Sequence, residues 1–454
     1  MWHFLYNVVL ILASPLIAGI LLAKKRCRPG LAQRMGIGWH RVAQSVGQDR
    51  RPLVWVHAVS LGEVVAVAPL VRQLSARHPE LRLVVSTVTE TGREAVQQRL
   101  AGIARHCYAP LDFPWAVSAA VRALRPALYL FVETELWPNV LRTLSDSRVP
   151  TIMINGRISS RSFGRQNLPA VRSFYRRMLQ SVACCLVQSD RDGERLVALG
   201  AEPAKVRRTG NIKFDQPLPD APAHGQPLSR ADLGLADQDD LVVAGSTHAG
   251  EEEQLLACYH TLSQEFPSLV LLMAPRHVER VTQVEDMVRE KGLPVSRRSL
   301  MGRANKSVPV SGPRVILLDT RGELATVYRF ATVAFVGGTL VPVGGHNLLE
   351  PAVWGKPVFF GPYTDHCAEV AGLLLRAGGG RQVRDVTQLV TAMTELLHDR
   401  ARLQSAGEAA RAMVRDNQGA LRRSLEVVEA FLATGNAAAS PLMEKLQLGL
   451  MAGR

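Results

Sequence analysis

The feature that most constrains this chain is the alternation of short apolar runs with segments of helical length. From Leu53 onward the runs are LVWVHA, LRLVVSTVT, ALYLFVETE, PTIMING and CCLVQS, and a second series, DLVVAGS, LVLLMAP, RVILLD, TVAFVGG and KPVFFGP, follows Leu233. Strands separated by helices pair in parallel, with helices covering both faces of the sheet. The stretch 216–233 holds four prolines and no periodicity, which reads as a linker. A chain of 454 residues also exceeds what one core fills, about 250–300 residues. The predicted architecture is therefore α/β: two doubly wound, Rossmann-like domains, 29–215 and 234–435, facing a cleft. Residues 1–28 precede them as a membrane anchor with its basic flank, and 436–454 form a tail. Ligands of such sheets sit beyond the carboxyl ends of the strands, so functional motifs are expected just after strands.

The anchor is Phe4–Ala23, a segment without a charge, followed at once by Lys24, Lys25, Arg26 and Arg28. At 1.5 Å per residue it is about 30 Å long, enough to cross a bilayer core. The basic cluster follows the apolar run, unlike a secretory signal, so the remainder is expected on the cytoplasmic side. Asn7 and Pro15 weaken the segment as a span, and a helix lying in the membrane surface is the alternative. The composition, 47% hydrophobic and 21% charged, is that of a globular protein, and the net charge of +14 points to a polyanionic partner. Cys27, Cys107, Cys184, Cys185, Cys258 and Cys367 show no paired spacing and read as thiols of a reducing compartment.

Several motifs do fall after strands. Ser60 and Glu63 in VSLGEVV have capping-box spacing, so Glu63 is either a helix cap or a chemical group. Glu133 and Glu135 end ALYLFVETE. In FVGGTLVPVGGHNLLEP, Gly337, Gly338, Gly344 and Gly345 would let backbone approach a ligand, Asn347 could cap a helix that attracts a phosphate, and Glu350 could accept ribose hydroxyls; the plain alternative is that the glycines only make turns. Arg276 and His277 at a strand end could clamp a phosphate, or lie idle on the surface. In GSTHAGEEE, Ser246 and Thr247 could cap the next helix and bind an anion, while Glu251–Glu253 read as its dipole-stabilising first turn. Between Arg157 and Arg177 stand six arginines and no carboxylate. A solvated face normally mixes signs, so a phosphorylated partner is preferred. Nucleic acid is disfavoured for want of a reading motif, and no metal-ligand spacing occurs near the expected cleft. A membrane tether, two α/β domains, a nucleotide-like cradle and an acid across the cleft together point to a glycosyltransferase.

The motifs HAVSLGE, TVTETG, PLDFP, ETELWPN, NGRIS, TGNIKFD, STHAGEE, PRH, GELATVY and FVGGTLVPVGGHNLLEP, in this order, resemble those of the 3-deoxy-D-manno-octulosonic acid (Kdo) transferases of lipopolysaccharide assembly. The resemblance runs from the anchor to about Gly419. It implies a GT-B fold and inverting transfer of Kdo from CMP-Kdo to a phosphorylated lipid A precursor at the inner membrane, with no cofactor, no metal and no nucleic acid. By carry-over Glu63 is the catalytic base, supported by Glu133 and Lys213. The implied CMP positions are Pro275, Arg276, Gly322, Glu323, Leu324, Asn347, Leu348, Leu349 and Glu350; Ser246, Thr247, Gly344 and Gly345 join the donor site. Ser60, Gly62, Arg157, Arg161 and Arg165 are expected to meet the acceptor. Leu348 departs from the proline of many relatives and removes no polar ligand. Two other readings stay open here: a transferase using a UDP-sugar, and an inert membrane-tethered nucleotide-binding scaffold.

Overall fold

A computed structural model describes residues 2–23, 28–47, 49–215, 228–301 and 312–434. The basic cluster at 24–26, most of the expected linker (216–227) and the expected tail lie outside the described residues. Each of the two runs of strands closes into a seven-stranded, wholly parallel sheet. The first holds β1 (Leu53–His57), β2 (Arg82–Thr87), β3 (Arg105–Tyr108), β4 (Leu128–Val132), β5 (Thr151–Gly156), β6 (Cys184–Val187) and β7 (Val206–Arg208), in the order β3-β2-β1-β4-β5-β6-β7. The second holds β8 (Asp240–Thr247), β9 (Leu269–Pro275), β10 (Val295–Arg297), β11 (Arg314–Leu317), β12 (Val333–Val336), β13 (Val358–Phe360) and β14 (Gly380–Gln382), in the order β10-β11-β9-β8-β12-β13-β14. The winding reverses between β1 and β4 in one sheet and between β8 and β12 in the other.

Alternation of side chains divides each sheet between two cores. Val54 and Val56 face a core with the Leu61–Arg77 helix, while Leu53 and Trp55 face one with Phe131 and Leu144. In the second sheet Val242 and Ala244 face one core, Leu241 and Val243 the other. The ten interior strands coincide with the ten apolar runs. The four strands absent from the sequence reading, β3, β7, β10 and β14, are the four sheet edges. They are three or four residues long and only partly buried, as in RHCY, VRR, VSR and GRQ, so they carry little apolar signal.

The expected second-domain boundary at 435 requires correction. The chain divides into two compact units, Met1–Gln216 with Gln418–Arg454, and Pro217–Asn417. The last described helix, Ala420–Thr434, returns to the first sheet, where Ala420, Leu425, Val428 and Phe431 join the core of Val54 and Val56. Asp215 directs this return. Its carboxylate accepts the amides of Gly419 (2.6 Å) and Leu421 (2.7 Å), meeting the unpaired donors at the start of that helix. Leu228 and Leu233, expected in the linker, are buried in the second unit. Asp215→Ala is expected to cost about 1–2 kcal/mol, as for loss of a good helix cap. It should lower the melting temperature and make the chain near Gly419 the first site of limited proteolysis; an unchanged melt would remove the capping role.

Candidate functional site

In the first unit the candidate groups cluster at the carboxyl ends of β1, β4 and β5. The helix after β1 begins at Leu61 with Ser60 as its cap residue, but the Ser60 hydroxyl makes no bond to a helix amide. It donates instead to Glu63 Oε1 (3.0 Å), and Glu63 Oε2 accepts the Val59 amide (2.8 Å). The expected capping box is thus altered: the glutamate reaches one residue further back, and the serine serves the glutamate. Burial pushes the Glu63 carboxyl up to about 7, the Val59 amide opposes this, and the nearby charges of Glu133 and Glu135 raise it further. Gly62 is exposed beside it.

Glu133 stands in the left-handed region, φ 58°, immediately after β4, a conformation that costs a non-glycine residue energy and concentrates at functional sites. Its carboxylate lies 3.6 Å from Lys213 Nζ. Lys213 is held by a chain of buried amides that the sequence reading did not single out. Asn155, also left-handed (φ 58°), accepts the Ile212 amide through Oδ1 (3.1 Å). Gln188 Nε2 donates to the Asn155 carbonyl (3.0 Å), Asn211 Nδ2 donates to Gln188 Oε1 (3.2 Å), and Asn211 Oδ1 accepts the Lys213 amide (3.0 Å). The available signal was that Asn155 and Gln188 lie at the ends of β5 and β6 and that Asn211 closes TGN. Thr134 Oγ1 donates to the Arg157 carbonyl (3.0 Å), which places the start of the arginine segment beside the β4 end. Arg157 is half-buried and Arg165 exposed on the Ser160–Gln166 helix; the Arg161 side chain lies outside the described residues.

In the second unit the groups gather after β8, β9 and β12. Ser246 is left-handed (φ 58°) near the end of β8. Thr247 is buried and its hydroxyl donates to Glu252 Oε1 (3.2 Å), so neither residue caps the helix, which begins at Glu252. Glu252 and Glu253 stand in the first turn of that helix, as expected, with Glu253 exposed and Glu251 just before it. Glu252 is fully buried and pairs with Arg280 at 2.9 Å. Glu251, also fully buried, accepts four backbone amides: His248 (3.0 Å), Gly338 (2.7 Å), Thr339 (2.9 Å) and Leu340 (2.8 Å). The glycine loop therefore turns its amides onto an internal carboxylate. Gly337 is needed for close approach, since a Cβ there would meet the Ser246 carbonyl at 2.4 Å. The room left by Gly344 and Gly345 is likewise filled by His366 and Cys367. At these three glycines the space a Cβ would take is occupied by other protein atoms.

Pro275 ends β9 and Arg276 is exposed after it. Arg276 lies within electrostatic reach of His346 and Glu350. Asn347 Oδ1 accepts the Leu349 amide (3.2 Å) from one position before the cap residue, Leu348, and its Nδ2 donates to Glu350 (3.2 Å). Burial raises the Glu350 carboxyl. Leu348 is fully buried. His248 and His346 stack 5.1 Å apart with Nε2 atoms at 2.7 Å, so one ring donates to the other, and His277 meets His248 edge-on. Burial lowers both His248 and His346, the latter to about 4, which suits a pair sharing one proton. Gly322 turns the chain at φ 86°, and Glu323, paired with Arg298 (3.1 Å), opens the Leu324–Val327 helix. Among the described residues no group of three His, Cys, Asp or Glu is placed to hold a metal ion.

Two parallel seven-stranded domains, each carrying its polar groups where the winding reverses, define the GT-B class of glycosyltransferase fold. The same fold is seen in the UDP-GlcNAc 2-epimerase of Neisseria meningitidis bound to UDP-GlcNAc (TM-score 0.55, 12% identity, 83% of this chain and 99% of that one). It recurs in a glycosyltransferase of Rickettsia africae ESF-5 (TM-score 0.53, 12% identity, 85% and 100%). Residues 30–216 match the family described as 3-Deoxy-D-manno-octulosonic-acid transferase (kdotransferase). The chain is 34% identical over 440 residues to the 3-deoxy-D-manno-octulosonic acid transferase of Haemophilus influenzae, covering 95% of this chain and 99% of that one. It is 34% identical over 418 residues to that of Bordetella pertussis, covering 88% and 94%. The chain belongs to the Kdo transferase family.

Glu251→Gln leaves one carbonyl oxygen for four amides and turns an NH₂ toward them. Unsatisfied buried donors cost about 1–3 kcal/mol, so the urea midpoint should fall measurably, and a midpoint equal to wild type would show that the loop does not depend on this carboxylate.

Proposed function

We propose that this glycosyltransferase moves Kdo from CMP-Kdo to a lipid A precursor, a tetraacyl disaccharide bisphosphate, at the cytoplasmic face of the inner membrane, without a metal. The observation that carries the reading is Glu63: a buried carboxyl at the reversal of the first sheet, poised near neutral pH, with Lys213 and Glu133 paired beside it. A general base works best when its pKa lies near the operating pH.

In the proposed reaction the lipid's primary hydroxyl loses its proton to Glu63 as its oxygen bonds to the anomeric carbon of Kdo. The bond from that carbon to the CMP oxygen breaks, and CMP departs with the electron pair. Attack opposite the leaving group in one displacement inverts the centre. Charge developing on the departing phosphate is met by Arg276 or Lys213, where fixed cations lower the barrier without reorganising. Pro275, Gly322, Glu323, Leu324 and Asn347–Glu350, with Ser246 and Thr247, form the donor site, in which the raised Glu350 carboxyl accepts from the ribose. Ser60, Gly62 and the arginines at 157, 161 and 165 receive the acceptor, its phosphates facing the guanidinium groups.

Mass spectrometry of products formed by the purified full-length chain from CMP-Kdo and the tetraacyl disaccharide bisphosphate should show additions of whole Kdo residues. No addition, or transfer from a UDP-sugar instead, overturns the reading. Glu63→Gln should leave CMP binding intact while lowering turnover at least about 10²-fold, the contribution of a general base. A second expectation concerns pH. Only deprotonated Glu63 serves as base, so kcat/KM should rise with pH through about 7. Glu133→Gln removes one of the charges that raise Glu63, so the rising limb should move to lower pH; a limb that stays in place or moves upward would separate Glu63 from the observed titration.

A further inference from the structure

Two motif residues find no place in the chemistry above. Asp112 of PLDFP and Asn139 of ETELWPN are both nearly inaccessible, with 4% and 3% of their surface exposed. Asp112 accepts the amides of Asn139 and Val140 (both 3.0 Å) and so caps the Pro138–Asp146 helix. Asn139 Nδ2 also donates to the Asp112 carbonyl (2.5 Å), and other bonds of the pair go to the first turns of the apolar N-terminal helix, Trp2–Ala23. Tyr6 OH donates to Asp112 Oδ2 (2.8 Å), Asn139 Nδ2 donates to Asn7 Oδ1 (2.7 Å), and His3 Nε2 bonds Asn139 Oδ1 (2.8 Å). The Tyr6 ring also packs on Phe174 at 5.7 Å. His3, Tyr6 and Asn7 share one helix face, the spacing that places side chains on one side.

The chain that follows the helix lies against the same domain. Arg28 Nε donates to the Leu22 carbonyl (2.8 Å), and Gly30 lies against the Tyr108 ring, where a Cβ would meet Cδ2 at 1.9 Å. Tyr108 and Asp112 are four residues apart, at most about 14 Å even if extended. A helix crossing a bilayer would carry its first turn about 30 Å from residue 28, to the side opposite the domain. Here the first turns meet Asp112 and Asn139, and Gly30, shortly after the helix, meets Tyr108 of the same domain. The opposite face is apolar and open: Phe4 is 75% exposed, Leu12 77% and Leu16 69%. Trp115, stacked on Phe113 next to Asp112, is itself half exposed, as aromatic residues are at membrane interfaces.

We propose that the N-terminal helix does not span the membrane but lies in its surface, clasped to the first domain by Asp112 and Asn139, with Phe4, Leu12 and Leu16 in the acyl layer. The occupant of this face is the boundary between headgroups and acyl chains. The clasp also carries function: Phe174 belongs to the Pro169–Gln180 helix, so the arginine-bearing segment is held beside the same surface, where a phosphorylated lipid would present its headgroup. The inference rests on the reading of the chain as membrane-bound on the cytoplasmic side.

The test uses the full chain with Cys27→Ser and Cys367→Ser and a single reporter, Trp2→Cys, in intact spheroplasts treated with a membrane-impermeant maleimide. An in-plane helix leaves the reporter unlabelled until the membrane is opened with detergent, after which it labels fully. Labelling of intact spheroplasts would place the first turn outside and overturn the proposal, while leaving the chain membrane-bound. Recovery of the whole chain in the soluble fraction would overturn the membrane reading together with it. A second readout follows the clasp: Tyr6→Phe with His3→Ala should raise KM for lipid acceptor several-fold while leaving CMP binding unchanged, and an unchanged KM would separate the clasp from acceptor capture.

Discussion

Where a parallel sheet reverses its winding, the loops leaving the two adjacent strands diverge, and their backbone groups lose the neighbours that satisfy them elsewhere in the sheet. The arrangement of both domains follows from how that deficit is met. In the first domain Glu63, from the helix after β1, reaches back to the Val59 amide. In the second, Glu251, just before the helix after β8, draws in the amides of His248 and of the loop after β12. Each domain thus uses a glutamate at the start of its first crossover helix to shape the mouth of its sheet.

The same residue type yields opposite outcomes because the number of donors differs. Four amides surround Glu251, and no role remains for it beyond holding the loop. Glu63 receives one amide and one hydroxyl, with Glu133 and Glu135 close by, and burial therefore pushes its carboxyl up to about 7. An incompletely solvated carboxylate is costly to the fold and useful to proton transfer. The left-handed Glu133, Asn155 and Ser246 mark the same regions. Asn155 is buried and holds the Ile212 amide, and the amide chain through Gln188 and Asn211 sets the place of Lys213.

The apolar pattern by itself determined the interior of both sheets: all ten runs read as strands are strands, because burial on both faces demands unbroken apolar sequence. The family was legible too, since its motifs follow one another along the whole chain. Tertiary structure alone decided the edge strands, whose residues need no apolar character. It alone brought Ala420–Thr434 back to the first sheet, through Asp215 some two hundred residues earlier in the chain. It also gave Glu251, expected only to favour the helix dipole, four distant and local amides to hold, and brought Asp112 and Asn139 to the first turns of the apolar helix. Periodicity and local spacing report which face of an element is buried; they carry no record of which distant backbone amide or side chain will meet a given carboxylate, because that pairing exists only once the loops have been brought together.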